Sequence, residues 1–419
     1  MPGAGTRTGI TSGSAPPLLL DVTRLVSRAG RRPTGIDRVE RAYLDRFLRE
    51  EAPVFGLIRS ALGYLLIDRR GMARLAAAFD GQSWGRPDLL SRLSWRGQPA
   101  RQGLEAEMRR AAIARARPGK LRTMLGAHLA PGTRYYNVGH SNLSARVLTA
   151  LGAIGAQRRV MIHDTIPLDL PQTQAPGATA RFEAMLRRVG AAADLVIYPS
   201  EHSRRCAETR LRALGRVPPG CVARLGVTPL TPNRSELPPG FPPEGPYFVA
   251  LGTIEPRKNH AFLLDLWEEM ARRDPEDLPR LIFAGARGWA QPELFARLDS
   301  APPSWLYECA GLSDDSIAFL LQNAAGLLFP SLGEGVGLPP VEALGLGCPV
   351  IAADLPAVRE YAGNMVVYRN VKSPYAWERA IKALRKTLGG TEFSERVAPA
   401  GWSAPCWDAH FSITLSRVC

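Results

Sequence analysis

Short apolar runs alternate with longer segments of helical periodicity along most of the chain. The runs that we interpret as strands, most of which end at glycine, proline or a charged residue, are Leu18–Val22, Val54–Ile58, Gly63–Ile67, Tyr135–Gly139, Arg159–Asp164, Ala193–Ser200, Tyr247–Gly252, Leu281–Gly285, Leu306–Gly311, Gly326–Pro330 and Pro349–Ala352. Strands that alternate with helices at this spacing predict parallel, doubly wound sheets. The fold class is therefore α/β.

Two such series are separated by a segment rich in proline and glycine, residues 231–246. A chain of 419 residues is also too long for a single hydrophobic core, so two domains are expected. The predicted division is a Rossmann-like domain at 1–235, a semi-rigid linker at 236–246, a second Rossmann-like domain at 247–395 and a C-terminal segment at 396–419. In the last segment, Trp402, Trp407 and Phe411 are candidates to anchor a final helix.

Three helix starts have recognisable caps, and the first of them follows a basic segment, residues 24–32, that is predicted as a loop. Thr34 with Asp37 three residues later resembles a capping box, and Gly35 then stands where a doubly wound sheet binds phosphate or sugar. Ser200 precedes a second helix, where its hydroxyl either caps the helix or contacts phosphate. Ser313 is predicted to cap a third helix.

The positive charge is concentrated in the first part of the chain. Residues 1–250 hold 37 Lys and Arg against 19 Asp and Glu, and residues 251–419 hold 16 against 20. The basic part could meet nucleic acid, anionic lipid or a phosphate-bearing acceptor, or it could reflect arginine usage without any partner. Residues 101–122 are consistent with a basic amphipathic helix at a membrane surface or with a solvated helix that packs one face.

The spacing of the cysteines and histidines and the length of the apolar runs argue against several classes of protein. Six scattered cysteines without Cys-x-x-Cys pairs predict reduced thiols rather than zinc or a disulfide framework, and no histidine pair has metal-ligand spacing. No apolar window is long enough for a membrane span, and the run at residues 18–20 is too short for a signal peptide. We expect a cytosolic protein, or a peripheral one at the inner face of a membrane.

The most informative stretch is Leu328–Ile351, which reads as strand end, glycine-rich turn, helix N-terminus and next strand. Pro339 and Pro340 suit the first positions of a helix, and the amides of such a turn can bind an anion. Glu334 lies in the turn, and Glu342 is expected in the first helical turn. From the residues alone, Glu342 either grips hydroxyl groups or complements the helix dipole, and Glu334 is either a ligand or a solvated charge.

The wording Glu-Gly-Val-Gly-Leu-Pro-Pro-Val-Glu-Ala at 334–343 resembles the Glu-x7-Glu motif of retaining glycosyltransferases of family 4, which have the GT-B fold. The resemblance is strong over 247–365 and weaker over 20–45 and 158–205. Val336 departs from the aromatic residue that the family often has, which leaves the backbone chemistry unchanged. The resemblance implies two Rossmann-like domains that face a cleft, with a C-terminal helix that crosses back.

The resemblance also implies roles for individual residues. Lys258 falls on the family's lysine for the leaving diphosphate, while Thr253 occupies the usual arginine position and leaves open whether Arg257 substitutes. Glu342 would hold the ribose, Glu334 would lie under the donor sugar, and His163 matches the histidine of a His-Asp motif near that sugar. The remaining implied contacts with donor hydroxyls and phosphates come from Gly35, Gly335, Val336, Gly337 and Leu338.

The predicted activity is retaining, metal-independent transfer of a hexose in surface polysaccharide synthesis, with His163, Lys258 and Glu334 as catalytic residues. No cofactor is expected; the donor would be GDP-mannose, with dTDP-rhamnose or a UDP-sugar as alternatives, and the acceptor a glycan or a lipid-linked saccharide. An anionic membrane surface is a further candidate partner. The competing hypotheses are nucleic-acid binding through the basic half, although aromatic residues do not alternate with its arginines, and a non-catalytic GT-B scaffold.

Overall fold

The computed structural model describes residues 15–289, 292–300, 303–387 and 396–416. Fourteen strands in this part of the chain form two sheets. Their bounds are β1 Leu18–Asp21, β2 Val54–Ser60, β3 Gly63–Ile67, β4 Ala112–Ala116, β5 Arg134–Asn137, β6 Gln157–Met161, β7 Leu195–Tyr198, β8 Gly220–Val222, β9 Tyr247–Leu251, β10 Arg280–Ala284, β11 Leu306–Cys309, β12 Gly326–Phe329, β13 Val350–Ala353 and β14 Val367–Arg369.

Helices occupy most of the connections between these strands. Their bounds are α1 Thr23–Ser27, α2 Gly35–Arg49, α3 Arg69–Phe79, α4 Leu89–Ser94, α5 Pro99–Ala111, α6 Leu121–His128, α7 Ala145–Ala153, α8 Ile166–Asp169, α9 Ala178–Ala192, α10 Glu201–Ala213, α11 His260–Arg273, α12 Pro292–Asp299, α13 Asp314–Asn323, α14 Leu338–Gly345, α15 Pro356–Ala362, α16 Pro374–Thr387 and α17 Trp407–Thr414. All the strands predicted from the sequence are confirmed, within a few residues at their ends.

The first sheet has eight strands in the order β4-β3-β2-β1-β5-β6-β7-β8. Strand β1 pairs in parallel with β2 on one side and β5 on the other, while β3 runs antiparallel to β2 and to β4. The chain therefore leaves β1 toward one edge of the sheet and returns at β5 to build the other edge. In such sheets this reversal of strand order opens a crevice at the carboxyl ends of the two strands.

The second sheet has six strands in the order β11-β10-β9-β12-β13-β14, and all its pairs are parallel. Alternate residues of one strand belong to different cores: Leu281 and Phe283 pack in a cluster with Trp267 and Trp377, whereas Ile282 packs on the opposite face. Both faces are thus covered, as the near-continuous apolar strands require. This sheet also reverses its strand order once, between β9 and β12.

The chain divides into two compact units. One comprises residues up to 161 together with 188–196, and the other comprises 162–187 and the residues from 197 onward. This division describes packing, and the predicted domain boundaries at 235 and 247 stay a prediction. Residues 388–395 of the predicted second domain lie outside the described residues, as does Cys419.

The predicted linker has no regular secondary structure, but it packs against a core cluster of the second sheet. The ring of Phe241 meets that of Tyr307 edge-on, with centroids 5.7 Å apart, and Leu237 lies against the same core cluster. The Asn233 amide also donates to the carbonyl of Asp315 over 3.0 Å.

Helix α17 is the predicted C-terminal helix. Trp407 and Phe411 stack at 5.6 Å between centroids, and the buried His410 ring shares its Nδ1 between the carbonyls of Ala223 and Arg224 at 3.2 Å each. Any side chain at Gly226 would overlap with Trp407. The helix is therefore fastened to residues 223–226, which precede the linker in sequence.

Two local predictions were wrong. Residues 101–122 are not one helix, because α5 ends at Ala111 and β4 follows, pairing Ala114 with Leu66 at the sheet edge. The segment 24–32 was predicted as a loop but includes part of α1, whose Leu25 and Val26 are buried.

In the described parts of the chain, no helix combines the length and apolar character needed to traverse a bilayer.

Candidate active site

The loops that follow β9 and β12 meet at the reversal point of the second sheet. The first, residues 252–259, leaves β9 through Gly252, whose φ of +131° favours glycine. It is held down by the Ile254 amide, which donates to the carbonyl of Ala286 over 2.9 Å. A Cβ at Gly285 would overlap with the Gly252 carbonyl, so this close approach requires glycine.

The loop then makes a short 3₁₀ turn over Pro256–Lys258 and enters α11 through Asn259, which has a left-handed φ of +58°. The amide group of the Asn259 side chain donates to the Pro330 carbonyl over 3.3 Å, and the Leu332 amide donates to the Arg257 carbonyl over 2.8 Å. These two bonds connect the loop after β9 to the loop after β12.

Three charged side chains converge where the loops meet. Oε1 of Glu334 lies 2.7 Å from Nζ of Lys258 and 2.7 Å from a guanidinium nitrogen of Arg257. Arg257 also pairs with Glu255 at 2.8 Å. The side chains of Lys258 and Glu334 are only 12% and 11% exposed, so water screens these pairs weakly.

The charges around Glu334 favour the ionised form of its carboxyl group. Burial alone would raise the pKa of Glu334, but Lys258 and Arg257 outweigh it and lower that pKa to about 2. Burial, followed in the same direction by the charge of Arg257, keeps the pKa of Lys258 below its ordinary value although Glu334 opposes this. Burial would also lower the pKa of Arg257, yet Glu334 and Glu255 raise it. An incoming anion would compete with Glu334 for two preformed cations.

The turn after Glu334 leads directly into α14. Gly337 has a left-handed φ of +82° and forms the N-cap, so the helix begins at Leu338, one residue before the prolines. Glu342 is consequently the fifth residue of the helix and not in its first turn as predicted. It is 9% exposed, so this carboxylate lies in a protected position.

A pair of serines holds the same turn from the side of α10. The Ser200 hydroxyl lies 2.9 Å from the Gly335 carbonyl, and the Ser203 hydroxyl lies 2.9 Å from the His163 carbonyl. The Ser203 amide donates to Ser200 Oγ over 3.0 Å, and the Ser203 hydroxyl also lies 3.1 Å from the Gly335 carbonyl. Any Cβ at Gly335 would overlap with the His163 carbonyl, so the two segments are in direct contact.

A second set of bonds fastens α10 to α15. Both carboxylate oxygens of Glu360 accept at 2.7 Å, one from the Glu201 amide and one from the His202 amide. The Tyr361 hydroxyl donates to the Pro199 carbonyl and accepts from the Leu225 amide, each over 2.7 Å. The turn that carries the serines is therefore fixed on two sides.

The structure places the predicted site residues as follows. Arg257, Lys258 and Glu334 are in direct contact, and Gly335 touches the segment of His163, whose ring is buried. The remaining residues of this unit extend the same two loops and helix: Thr253, which is exposed, Val336, Gly337, Leu338 and Glu342. Gly35 belongs to the other unit, where it is the exposed first residue of α2 and the Thr34 amide donates to Asp37 over 2.7 Å.

Sequence reasoning missed Ser203, Glu255 and Glu360. A serine three residues after Ser200 at a helix start is a recognisable capping pattern, but its carbonyl partners lie 40 and 132 residues away. The sequence pattern did not point to His260 either. Burial, together with the charge of Lys258, lowers the pKa of this histidine to about 3, so its neutral ring packs on Phe283.

The reversal point of the first sheet contains a different set of groups. Asp21 ends β1 and is 3% exposed; its carboxylate accepts from Asn142 Nδ2 at 2.8 Å, the Tyr135 hydroxyl at 3.0 Å and the Thr23 amide at 3.1 Å. Burial raises the pKa of Asp21 to about 6 although these bonds oppose it. Burial and then the charge of Asp21 raise the pKa of Glu40, which is wholly buried nearby.

The second sheet lies in a segment that matches a known protein family. Residues 245–386 match the family described as glycosyl transferases group 1. The chain carries a group 1 glycosyltransferase domain. This domain contains Arg257, Lys258, Glu334 and Glu342, whereas His163 and Gly35 lie outside the matched residues.

Curated relatives extend the similarity. The serotype-specific mannosyltransferase WbdA of Escherichia coli is 28% identical over 251 residues, which are 56% of this chain and 30% of WbdA. The O-antigen chain mannosyltransferase RfbU of Salmonella typhimurium is 30% identical over 146 residues, 33% of this chain and 38% of RfbU. The chain thus spans about a third of the length of these relatives.

Among solved structures, HepE of Anabaena in complex with UDP superposes with a TM-score of 0.56 at 14% identity, covering 90% of this chain and 91% of HepE. A superposition of this extent includes residues of both sheets. The GT-B fold predicted from the motifs is confirmed.

Proposed function

We propose that this protein is a retaining glycosyltransferase that moves a hexose, mannose in the first instance, from a nucleotide sugar to a glycan or lipid-linked saccharide. The observation that carries the proposal is the contact of Lys258 and Arg257 with Glu334 at the reversal point of the group 1 domain. The similarity to WbdA and RfbU supports mannose as the transferred sugar. dTDP-rhamnose and UDP-sugars are the alternative donors.

The chemistry that the site supports is the departure of a nucleoside diphosphate. As the bond between the anomeric carbon and the diphosphate breaks, negative charge develops on the leaving oxygen, and fixed cations in a weakly screened site stabilise it. Lys258 supplies a compact ammonium and Arg257 a planar guanidinium for this charge. The acceptor hydroxyl forms the new bond on the same face of the sugar, and its proton passes to the leaving phosphate oxygen.

The carboxylates take separate roles in this proposal. Glu342, protected in α14, would accept hydrogen bonds from the ribose hydroxyls. Glu334 would lie beneath the donor sugar once the diphosphate has drawn Lys258 toward itself. His163 and the amides of residues 335–338 would contact sugar hydroxyls and phosphate. Since two cations and the start of α14 meet the developing charge, the reaction would proceed without a metal ion.

A donor screen followed by a transfer assay tests the proposal. GDP-mannose, dTDP-rhamnose, UDP-glucose and the free diphosphates are compared by thermal shift, where a ligand at about 100 times its Kd adds about 2.7 kcal/mol. The stabilising donor is then incubated with a saccharide acceptor, and the anomeric configuration of the product is determined by NMR. Retention is expected. Inversion of the anomeric centre would reject the retaining mechanism, and no stabilisation by any nucleotide would reject the donor site.

A further inference from the structure

Helix α4 presents its apolar residues to solvent and a polar residue to the protein. Leu89, Leu90 and Leu93 are 73%, 43% and 59% exposed, while Ser91 is fully buried. Leu89 and Leu93 are four residues apart and so lie on the same face. A surface helix normally shows the reverse arrangement, with its apolar face toward the core. Helix α4 therefore exposes an apolar face instead of burying it.

The polar residues around α4 hold it rigidly in this orientation. Asp88 caps the helix by accepting from the Ser91 amide at 2.8 Å, and its other oxygen accepts from Arg109 Nε at 3.0 Å. Arg109 pairs in turn with Glu105 at 2.7 Å, and Glu105 accepts from Trp95 Nε1 at 2.6 Å. Arg109 and Glu105 have side chains only 8% and 2% exposed. Both ends of α4 are thus fixed to α5.

The exposed leucines lie in a strongly basic part of the chain. Residues 86–122 hold ten Lys and Arg against three Asp and Glu. Within the described ranges, six of these cations are exposed and form neither an ion pair nor a side-chain hydrogen bond: Arg86, Arg92, Arg96, Arg117, Lys120 and Arg122. Arg92 is on the same turns as Leu89 and Leu93, and Arg96 lies in the turn just after the helix, which ends at Ser94. Their charges remain available to an external partner.

We propose that this face of α4 docks on an anionic lipid bilayer. Leu89 and Leu93 would enter the boundary between headgroups and acyl chains, and Arg92 and Arg96 would reach lipid phosphates while their stems cover apolar surface. The charge pattern favours lipid over a second copy of the chain, since two copies would oppose arginine to arginine. The inference rests on the proposed function in one respect: a lipid-linked acceptor would be confined to such a surface.

Co-sedimentation of the full chain with vesicles tests this docking. Vesicles of phosphatidylcholine containing about one third phosphatidylglycerol are compared with pure phosphatidylcholine at low and high salt, because the attraction of basic residues fades with salt. The variant Leu89→Ser/Leu93→Ser should lower the partition coefficient about tenfold or more, because two apolar insertions are lost. Arg92→Ser/Arg96→Ser should weaken binding to anionic vesicles alone. Val397→Ser is the matched control, since Val397 is 81% exposed and lies on the other unit.

Four outcomes would overturn the inference. Equal binding of the unmodified chain to neutral and anionic vesicles would reject the role of charge, and unchanged binding of the leucine variant would reject insertion. A dimer in light scattering that the leucine variant abolishes would assign the face to a second copy. Retention of an oligonucleotide that requires Arg92 and Arg96 but not the leucines would assign it to nucleic acid.

The docking and the proposed function can fail separately. Transfer to a water-soluble acceptor should be the same in the leucine variant and the unmodified chain, because α4 contributes no residue to the cluster of Lys258 and Glu334. Vesicle binding without transfer from any nucleotide sugar would reject the proposed function and leave the docking intact. If the leucine variant does not fold, judged by its thermal midpoint, the arginine variant decides the question.

Discussion

Each of the two sheets reverses its strand order once, and the sheets differ in what occupies this point of reversal. In the first sheet, Asp21 accepts from uncharged donors of Thr23, Tyr135 and Asn142, and burial raises its pKa to about 6. In the second, Glu334 accepts from two cations, and its pKa falls to about 2. One reversal point therefore holds a carboxylate that binds a proton readily, Asp21, and the other holds a carboxylate that does not, Glu334.

The difference shows that topology locates a crevice while the neighbouring donors decide its chemistry. Asp21 is held by amides and a hydroxyl, so its own hydrogen bonds place no cation beside it. A carboxylate between Lys258 and Arg257 keeps two cations in position until a stronger anion arrives. Only the second arrangement suits a diphosphate leaving group, and it lies within the group 1 domain.

Removal of Lys258 should have the largest effect. Lys258→Ala is expected to lower kcat about 10²-fold or more in the transfer assay, by analogy with the loss of one fixed donor to a transition-state charge. Lys382→Ala is the matched control, because Lys382 pairs with Glu378 at 2.9 Å on α16, away from both loops. Near-normal kcat in Lys258→Ala combined with an inactive Arg257→Ala would exchange the roles of the two cations.

The two carboxylates should respond to pH in opposite directions. The raised pKa of Asp21 contributes stability that is present below its ordinary value of 3.8 and is lost as pH rises through about 6. The lowered pKa of Glu334 contributes stability that is present above its ordinary value of 4.5 and is lost as pH falls through about 2.

Thermal midpoints of Asp21→Asn and Glu334→Gln, measured from pH 2 to pH 8, test this contrast. As pH rises, Asp21→Asn should gain stability relative to the unmodified chain between about pH 4 and pH 6. Over the same direction of change, Glu334→Gln should lose stability relative to the unmodified chain between about pH 2 and pH 4.5. Parallel changes in the two variants would contradict the opposite environments of the two reversal points.

Loss of the Glu342 carboxylate, which is buried in α14, should weaken the binding of the nucleotide-sugar donor. Glu342→Ala is expected to raise the Kd for the nucleotide sugar by the equivalent of about 1.5–3 kcal/mol, the contribution of a hydrogen bond to a charged group. Isothermal titration measures this Kd, and Glu342→Gln should retain part of the affinity. An unchanged Kd would remove Glu342 from the donor site.

The smallest expected effect concerns the serines that hold the turn after Glu334. Ser203→Ala should lower kcat by the equivalent of about 0.5–1.5 kcal/mol with a nearly constant KM, because the turn and the His163 segment lose one fixed contact. Ser203→Thr, which keeps the hydroxyl, should restore kcat. A change in thermal midpoint without a change in kcat would make the pair purely structural.

Helix α13 provides a matched control for this experiment. Ser313 and Ser316 repeat the same local cap, with the Ser316 amide donating to Ser313 Oγ over 3.2 Å. Their hydroxyls lie 2.9 Å apart, as do those of Ser200 and Ser203. Ser316→Ala should therefore cost stability but leave kcat unchanged.

Features encoded within a few residues could be predicted from the sequence. Glycines and prolines delimit α14, the Thr34–Asp37 pair marks the start of α2, and Ser313 caps α13. Contacts between distant segments could not. The carbonyl partner of Ser200 is 135 residues away, and the ion pair of Lys258 with Glu334 spans 76 residues. The motif placed both charged residues in one site without indicating that they touch.

The error at residues 101–122 has a different physical cause. Its arginines and small apolar residues are compatible with a helix, and α5 does form as far as Ala111. Beyond that point, an unpaired edge at β3 offers backbone hydrogen bonds that outweigh weak helical propensity, so β4 forms. The alternation of alanine with isoleucine and arginine over 112–116 carried this signal at a period of two.

The packing of the linker has a practical consequence for dissecting the protein. A fragment that starts at Tyr247 would contain every strand of the second sheet, yet it would leave the aromatic face of Tyr307 and the apolar surface beneath Leu237 bare. Exposed surface of this kind promotes aggregation during expression. The shortest fragment that keeps these contacts begins upstream of Leu237. An expression fragment should therefore begin there and not at Tyr247, although Tyr247 is the first residue of the second sheet.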